Sequence, residues 1–145
     1  VKKGFSLVEL LVALAIFGLL SAAILSGLLG VFRVNRSAGL ETRAVVVAKD
    51  YLERARREST YNGTTLALPP FGQTGGFSVA LRAAGRMDPG APLAFTTCSG
   101  NPSTGYSCAV SCQQGTSPTA CRLVAVELTL QGGGKTYTFY REWAP

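Results

Sequence analysis

Histidine is missing altogether from this chain of 145 residues, and acidic residues are few, 8 Asp and Glu against 14 Lys and Arg. Without an imidazole there is no ordinary general base near neutral pH, and neither a Ser/His nor a Cys/His nucleophile pair can be assembled. A carboxylate pair could still act, but beyond Ser59 the only acids are Asp88, Glu127 and Glu142. The expectation is a protein that is not an enzyme and that holds no cofactor and no metal ion.

Proline is absent ahead of Pro69, and no charged residue lies between Leu10 and Phe32. The first absence removes the strongest helix breaker, so one helix is expected from Phe5 to about Ser59. The second excludes an ordinary soluble globular protein unless something covers that run. Leu10 to Phe32 would rise about 35 Å as a helix, enough for a hydrocarbon core of about 30 Å. The run is too long for the core of a secretory signal, and no small-residue cleavage box is followed by a plausible compact start. With 47% hydrophobic residues the chain is not disordered, and its length suits one ordinary domain. The formal charge of +6 is not gathered into a dense basic patch. DNA contact therefore stays open only as non-specific attraction, without a motif that reads nucleic acid.

After Phe32 the pattern becomes amphipathic. Val31, Val34, Ala38, Val45, Ala48, Leu52 and Ala55 recur at helical intervals, with Arg33, Arg36, Arg43, Lys49, Asp50, Glu53, Arg54 and Arg57 on the other sides. One helix can thus lie in lipid at its start and pack on a small domain at its end. The exception is Glu9, an acid inside the apolar start, where an isolated carboxylate is costly and a paired role is expected.

Lys2-Lys3-Gly4 followed by Phe5-Ser6-Leu7-Val8-Glu9-Leu10 resembles the leader, peptidase junction and mature start of the type IV pilin and type II secretion pseudopilin superfamily. The resemblance extends over residues 2–58 and is strongest to a minor pilin. It implies cleavage between Gly4 and Phe5 by a prepilin peptidase, N-methylation of Phe5, and pairing of Glu9 with the Phe5 amine of a neighbouring subunit during assembly. An ammonium and a carboxylate share a low-dielectric site far more cheaply than either occupies it alone. Ser26 stands where many major pilins carry proline, so the melted segment of those helices is not expected here. The implied leader is short for the family, and Val1 reads as an alternative start or a trimmed terminus.

The implied organisation is a leader at 1–4, a membrane and filament-core half of the helix at 5–32, an amphipathic half at 33–59 and an exposed β domain at 60–145. The implied function is that of a minor pilin, a non-catalytic subunit that initiates or modifies a type IV pilus serving DNA uptake, adhesion or motility. The alternative is a pseudopilin of a type II secretion system, and the Leu11 to Phe17 tract suits either. Partners would be the peptidase, other pilins or pseudopilins, the inner-membrane assembly platform, and lipid before assembly. The location would be the bacterial inner membrane with the C-terminal domain in the periplasm, then the pilus or pseudopilus.

In the exposed part, Thr64 to Leu68, Phe77 to Leu81 and Leu93 to Thr97 read as short strands. Val124, Val126, Leu128 and Leu130 alternate with Ala125, Glu127 and Thr129 as a half-covered strand, and Thr136 to Arg141 returns beside it after Gln131-Gly-Gly-Gly-Lys135. Gly132-Gly133-Gly134-Lys135 lacks the full spacing of a phosphate loop and reads as a somewhat long turn. The hairpin is expected to bury Val45, Ala48, Leu52 and Ala55. The fold class is therefore α+β and pilin-like, with the second half of the helix packed on a small antiparallel sheet. Of the aromatics, Tyr61, Tyr106, Tyr137, Phe139, Tyr140 and Trp143 suit packing better than a binding surface.

Cys98, Cys108, Cys112 and Cys121 cluster in a Gly/Ser/Thr/Pro-rich stretch, which reads as a loop stapled by two disulfides in an oxidising compartment. C-x9-C-x3-C-x8-C without histidine is poor zinc spacing. Three complete pairings are open to four cysteines; pairing of sequence neighbours, Cys98 with Cys108 and Cys112 with Cys121, is preferred. The stapled loop is the expected member-specific surface.

Overall fold

The computed structural model describes residues 6–145. One helix, α1 (Leu7–Glu58), precedes β1 (Thr60–Tyr61), β2 (Thr65–Leu68), β3 (Ser78–Arg86), β4 (Thr96–Thr97), β5 (Ser99–Asn101), β6 (Gly105–Ala109), β7 (Cys112–Gln114), β8 (Ser117–Thr119), β9 (Leu123–Gly132) and β10 (Lys135–Trp143). The chain divides into two units, the residues up to Gly39 and those from Leu40 to Pro145.

The first unit is helix with its apolar side chains turned outward. Leu7 is 75% exposed and Phe32 is 67% exposed, and the large hydrophobic side chains between them are also open. The helix contains an apolar window of mean hydropathy 2.5, none of it covered by the rest of the chain, and is long enough to cross a membrane. Its two hydroxyls in this part are satisfied locally: Ser21 donates to the Phe17 carbonyl and Ser26 to that of Ala23, each at 2.8 Å. Neither needs water, which suits an apolar surrounding.

The second unit is built on antiparallel pairing. One sheet has the order β10-β9-β3-β4, another β1-β2-β6-β5, and β7 and β8 form a separate hairpin. β9 is the centre of the first sheet, paired along its length with both β3 and β10. Its alternation puts Val124, Val126, Leu128 and Leu130, all fully buried, on one face. Ala44, Ala48, Leu52 and Ala55 of α1 share that core. The layer is complementary in size: the sheet supplies the large side chains and the helix mostly alanines.

Val45 does not join them. It is 47% exposed, and the buried helical line runs through Ala44, Ala48, Tyr51 and Ala55 instead, at spacings of four, three and four. Tyr51 decides the phase. It is fully buried, stacks on Phe71 with ring centroids 3.7 Å apart, and donates its hydroxyl to the Pro69 carbonyl at 3.1 Å. A helix rotated to bury Val45 would pull that ring out of its slot.

The turn between β9 and β10 is tighter than expected. Lys135 pairs directly with Gly132, leaving a two-residue loop of Gly133 and Gly134 at φ +61° and +76°. Two successive positive φ values are what a type I′ turn requires, and glycine adopts them freely. A Cβ on Gly133 would collide with the Leu40 side chain, so the turn seats on the helix.

The cysteine-rich stretch is not a loop but four short strands, β5 to β8. In β5, β7 and β8 the side chains are mostly small or polar, so no alternation of hydrophobicity announces them, whereas in β6 Tyr106 and Cys108 alternate with Ser107; main-chain pairing and the cystines hold the four strands. β3 also runs five residues further than the expected Phe77 to Leu81 strand, through Ala83, Ala84 and Gly85 to Arg86. Glycine is required at 85 because a Cβ there would overlap Cys121 Sγ and Val110 Cγ1.

Shortening Leu128, fully buried in the β9 face, to alanine is expected to cost about 3 kcal/mol of unfolding free energy. Val46→Ala, on an exposed side of α1, should change it by less than about 0.5 kcal/mol. Denaturant titration of the detergent-solubilised chain followed by tryptophan fluorescence measures both.

Candidate functional site

Of the residues singled out in the N-terminal motif, Gly4 and Phe5 lie outside the described residues. Glu9 lies in the first turn of α1, exposed. The Ser6 carbonyl accepts the Glu9 amide at 3.0 Å and the Leu10 amide at 3.2 Å, which starts the helix there. The N-terminal end of a helix favours a carboxylate electrostatically. Ser6-x-x-Glu9 also has the spacing of a capping box, a signal the sequence offers beside the pilin-like one. In the structure Ser6 acts through its main chain, and among the described residues the Glu9 carboxylate has no hydrogen-bond or ion-pair partner. It is an acceptor carried on an apolar helix, available to a cation supplied from elsewhere.

The acids of the second unit are disposed differently. Arg86 holds Glu142 with two bonds, Nε to Oε1 at 2.7 Å and Nη2 to Oε2 at 2.5 Å, and the Tyr140 hydroxyl donates to Oε2 at 2.7 Å. Those bonds, Arg86's first and Tyr140's second, hold the Glu142 carboxyl below the usual range, and the same pair pushes the Arg86 guanidinium up. Burial and then the bond to Glu142 raise the Tyr140 phenol. Arg82 reaches Glu127 at 3.2 Å, and Arg141 donates to Glu53 at 2.7 Å, which lowers the Glu53 carboxyl.

These arginines also do structural work. Arg86 donates to the Ala91 carbonyl and Arg82 to that of Phe95, both at 3.3 Å. They draw the segment between β3 and β4 across the outer face of the sheet, which accounts for the burial of Ala84 and Ala125 on that side. Glu127 and Glu142 are thus tied to arginines rather than poised as acid and base. No group of His, Cys, Asp and Glu among the described residues is arranged to hold a metal.

Cys98 is bonded to Cys108 and Cys112 to Cys121. Beside the second cystine, the Tyr61 hydroxyl lies 2.9 Å from the Gly63 carbonyl and 3.0 Å from that of Val110, and accepts the Cys121 amide at 3.0 Å. Sequence reasoning treats Tyr61 as a generic packing aromatic; its role is to satisfy main-chain groups where three segments meet. Tyr51 and the Arg86–Glu142 pair also escape a reading by motif. Tyr51 takes its place from the Phe71 ring, a contact that no local periodicity announces. The ion pair joins residues 56 positions apart and leaves no local signal.

Residues 1–25 match the family described as the Prokaryotic N-terminal methylation motif. No curated protein and no solved structure matches the chain.

The Glu142 geometry sets a pH dependence. A carboxyl with a lowered folded-state pKa contributes stability that is present above its unfolded value, about 4.3, and lost as pH falls through the folded one. Unfolding titrations between pH 7 and pH 2 should therefore show wild type losing stability on acidification more steeply than Glu142→Gln. The two should converge at the acid end.

Proposed function

From the premise that this chain carries the N-terminal methylation motif typical of type IV pilin and pseudopilin family members, on a pilin-like α+β fold, we propose that it is a minor pilin. In this reading it is a subunit that helps initiate or modify a type IV pilus. The observation that carries the proposal is Glu9, a carboxylate without a partner among the described residues, in the first turn of a helix whose first half is otherwise apolar and exposed. Such a group is expensive in lipid unless a cation meets it there.

Cleavage after Gly4 would create that cation, the amine of Phe5. Placed against Glu9 of an adjacent subunit, it offsets both charges and sets the axial register between neighbouring helices. The apolar surface from Leu7 to Phe32 then has two coverings in turn, lipid before assembly and other pilin helices afterwards. Prepilin peptidase, the inner-membrane assembly platform and sibling pilins are the partners this sequence of events needs. It also places the domain from Leu40 onward in the periplasm until the subunit enters the filament. The two cystines suit that oxidising compartment. DNA uptake, adhesion and motility are the roles such a filament would serve.

Purified native filaments should contain this chain below the abundance of the main subunit, beginning at N-methylated Phe5 in intact-mass and N-terminal peptide analysis. Retention of Lys2 and Lys3 in the assembled form would overturn the processing assignment, and major-subunit abundance would overturn the minor one.

Glu9→Ala removes the proposed acceptor without touching the core from Leu40 onward. Incorporation into filaments is expected to fall at least about tenfold, the scale of one lost charge pair at low dielectric. Membrane-inserted precursor and its processing should stay near wild-type levels in quantitative immunoblots of the same cells. Unchanged incorporation would remove Glu9 from the assembly mechanism.

A further inference from the structure

The segment between β3 and β4 covers one half of the first sheet's outer face and ends at Phe95, leaving the other half open. Register places Arg82, Glu127 and Tyr140 side by side across β3, β9 and β10 at the margin of the open half. The next row carries Thr129 and Thr138, and the row beyond it Gln131 and Thr136. These four are uncharged, and apart from the half-buried Thr129 they are exposed. Among the described residues none of their side chains makes a hydrogen bond. The three rows extend about 10 Å across the strands and about 13 Å along them.

Tyr140 departs from the packing role expected of it. Among the described residues after Glu58 it is the one large hydrophobic side chain left exposed, at 49%. Yet it is held. Its hydroxyl donates to Glu142, two residues along the strand, at 2.7 Å, and the Phe95 ring meets it edge to face with centroids 6.2 Å apart. Arg82 in turn lies 5.6 Å from the centre of the Phe95 ring and donates to Glu127 at 3.2 Å. An exposed ring clamped from two sides, with hydrogen-bonding groups beside it, is a platform ordered before any ligand arrives. Because Arg82 is matched by Glu127 and Arg86 by Glu142, the platform carries no surplus charge.

We infer that this face binds an uncharged glycan chain, with one sugar ring stacked on Tyr140 and the rings that follow lying over the threonines and Gln131. A sugar ring offers an apolar face of C–H groups to an aromatic, and hydroxyls that both donate and accept. Thr129, Thr138, Gln131 and the Glu127 carboxylate supply the complementary groups. A nucleic acid strand would also stack on an aromatic ring, but it needs a basic track for its phosphates. Here both arginines near the ring are already met by carboxylates. The site lies within the unit from Leu40 onward and does not rest on the assembly role of Glu9.

The test passes the detergent-solubilised full-length protein over chitin and over cellulose, two insoluble uncharged polysaccharides, and elutes with the matching soluble oligosaccharide. Retention on at least one of them is expected, with apparent affinity falling about tenfold in Tyr140→Ala and close to wild type in Tyr140→Phe, which keeps the ring. Arg82→Gln, at a side chain 48% exposed, should weaken retention about threefold by removing donors without touching the core. Circular dichroism verifies the fold of each variant, and Arg82→Gln decides if Tyr140→Ala proves unfolded. The inference fails if neither polysaccharide retains the protein above a bare polystyrene support, or if the folded variants are retained like wild type. It fails equally if a single-stranded oligonucleotide binds through Tyr140 while both polysaccharides do not.

Discussion

The second unit depends on one division of volume: α1 supplies alanines at 44, 48 and 55, and β9 supplies the valines and leucines that fill the layer above them. Everything after Glu58 is arranged around keeping that strand covered. β3 and β10 flank β9 along its whole length, and the segment between β3 and β4 lies over its outer face. Tyr51, the one large buried residue of the helix besides Leu52, is the pin that sets the rotation of α1, because its ring has a single slot against Phe71. A helix with a larger residue at Ala48 would push β9 outward and lose contact along the strand at once, since interiors packed to crystal density do not yield locally.

The charges follow a different logic in the two units. In the first, the only described acid in the apolar stretch, Glu9, has no partner within the described residues. In the second, Glu53, Glu127 and Glu142 each find an arginine on a neighbouring element. Those pairs are partly exposed, and such pairs contribute modestly to stability. Their clearer effect is positional: each joins segments far apart in sequence, and Arg82 and Arg86 each hold a carboxylate and a main-chain carbonyl together. Each such pair takes one acid with one arginine, so the formal charge of +6 is carried by the residues outside these pairs.

How much of this could be read from the residues alone depends on whether the signal was periodic. The helix was legible because no proline interrupts it, and β9 because valine and leucine alternate with smaller or polar residues. The β10 return was legible because the glycine run can only be a reversal. The phase of α1 was not: Val45 looks as apolar as Ala44, and only the Phe71 ring, twenty residues beyond Tyr51 and met in folded contact rather than in sequence pattern, favours one over the other. Strands β5, β7 and β8 were invisible because Ser, Gly, Gln and Thr pair through their main chains and carry no hydrophobic code. At the N-terminal motif Glu9 was conspicuous as the wrong residue in its place, whereas the Arg86–Glu142 pair, with both residues ordinary in their local context, was not.

The two cystines are consecutive and do not interlace: the first closes ten residues along the chain and the second nine, with the second beginning only after the first has ended. In the exported topology proposed above, a chain threading outward from its N-terminus presents Cys98 and Cys108 to the oxidising side before Cys112 arrives, and Cys112 then has only Cys121 left to meet. Oxidation in simple order of appearance therefore yields the native connectivity. Such a domain can acquire its covalent form during translocation without a disulfide-shuffling step, whereas an interlaced pairing of the same four cysteines would have to undo its first bond.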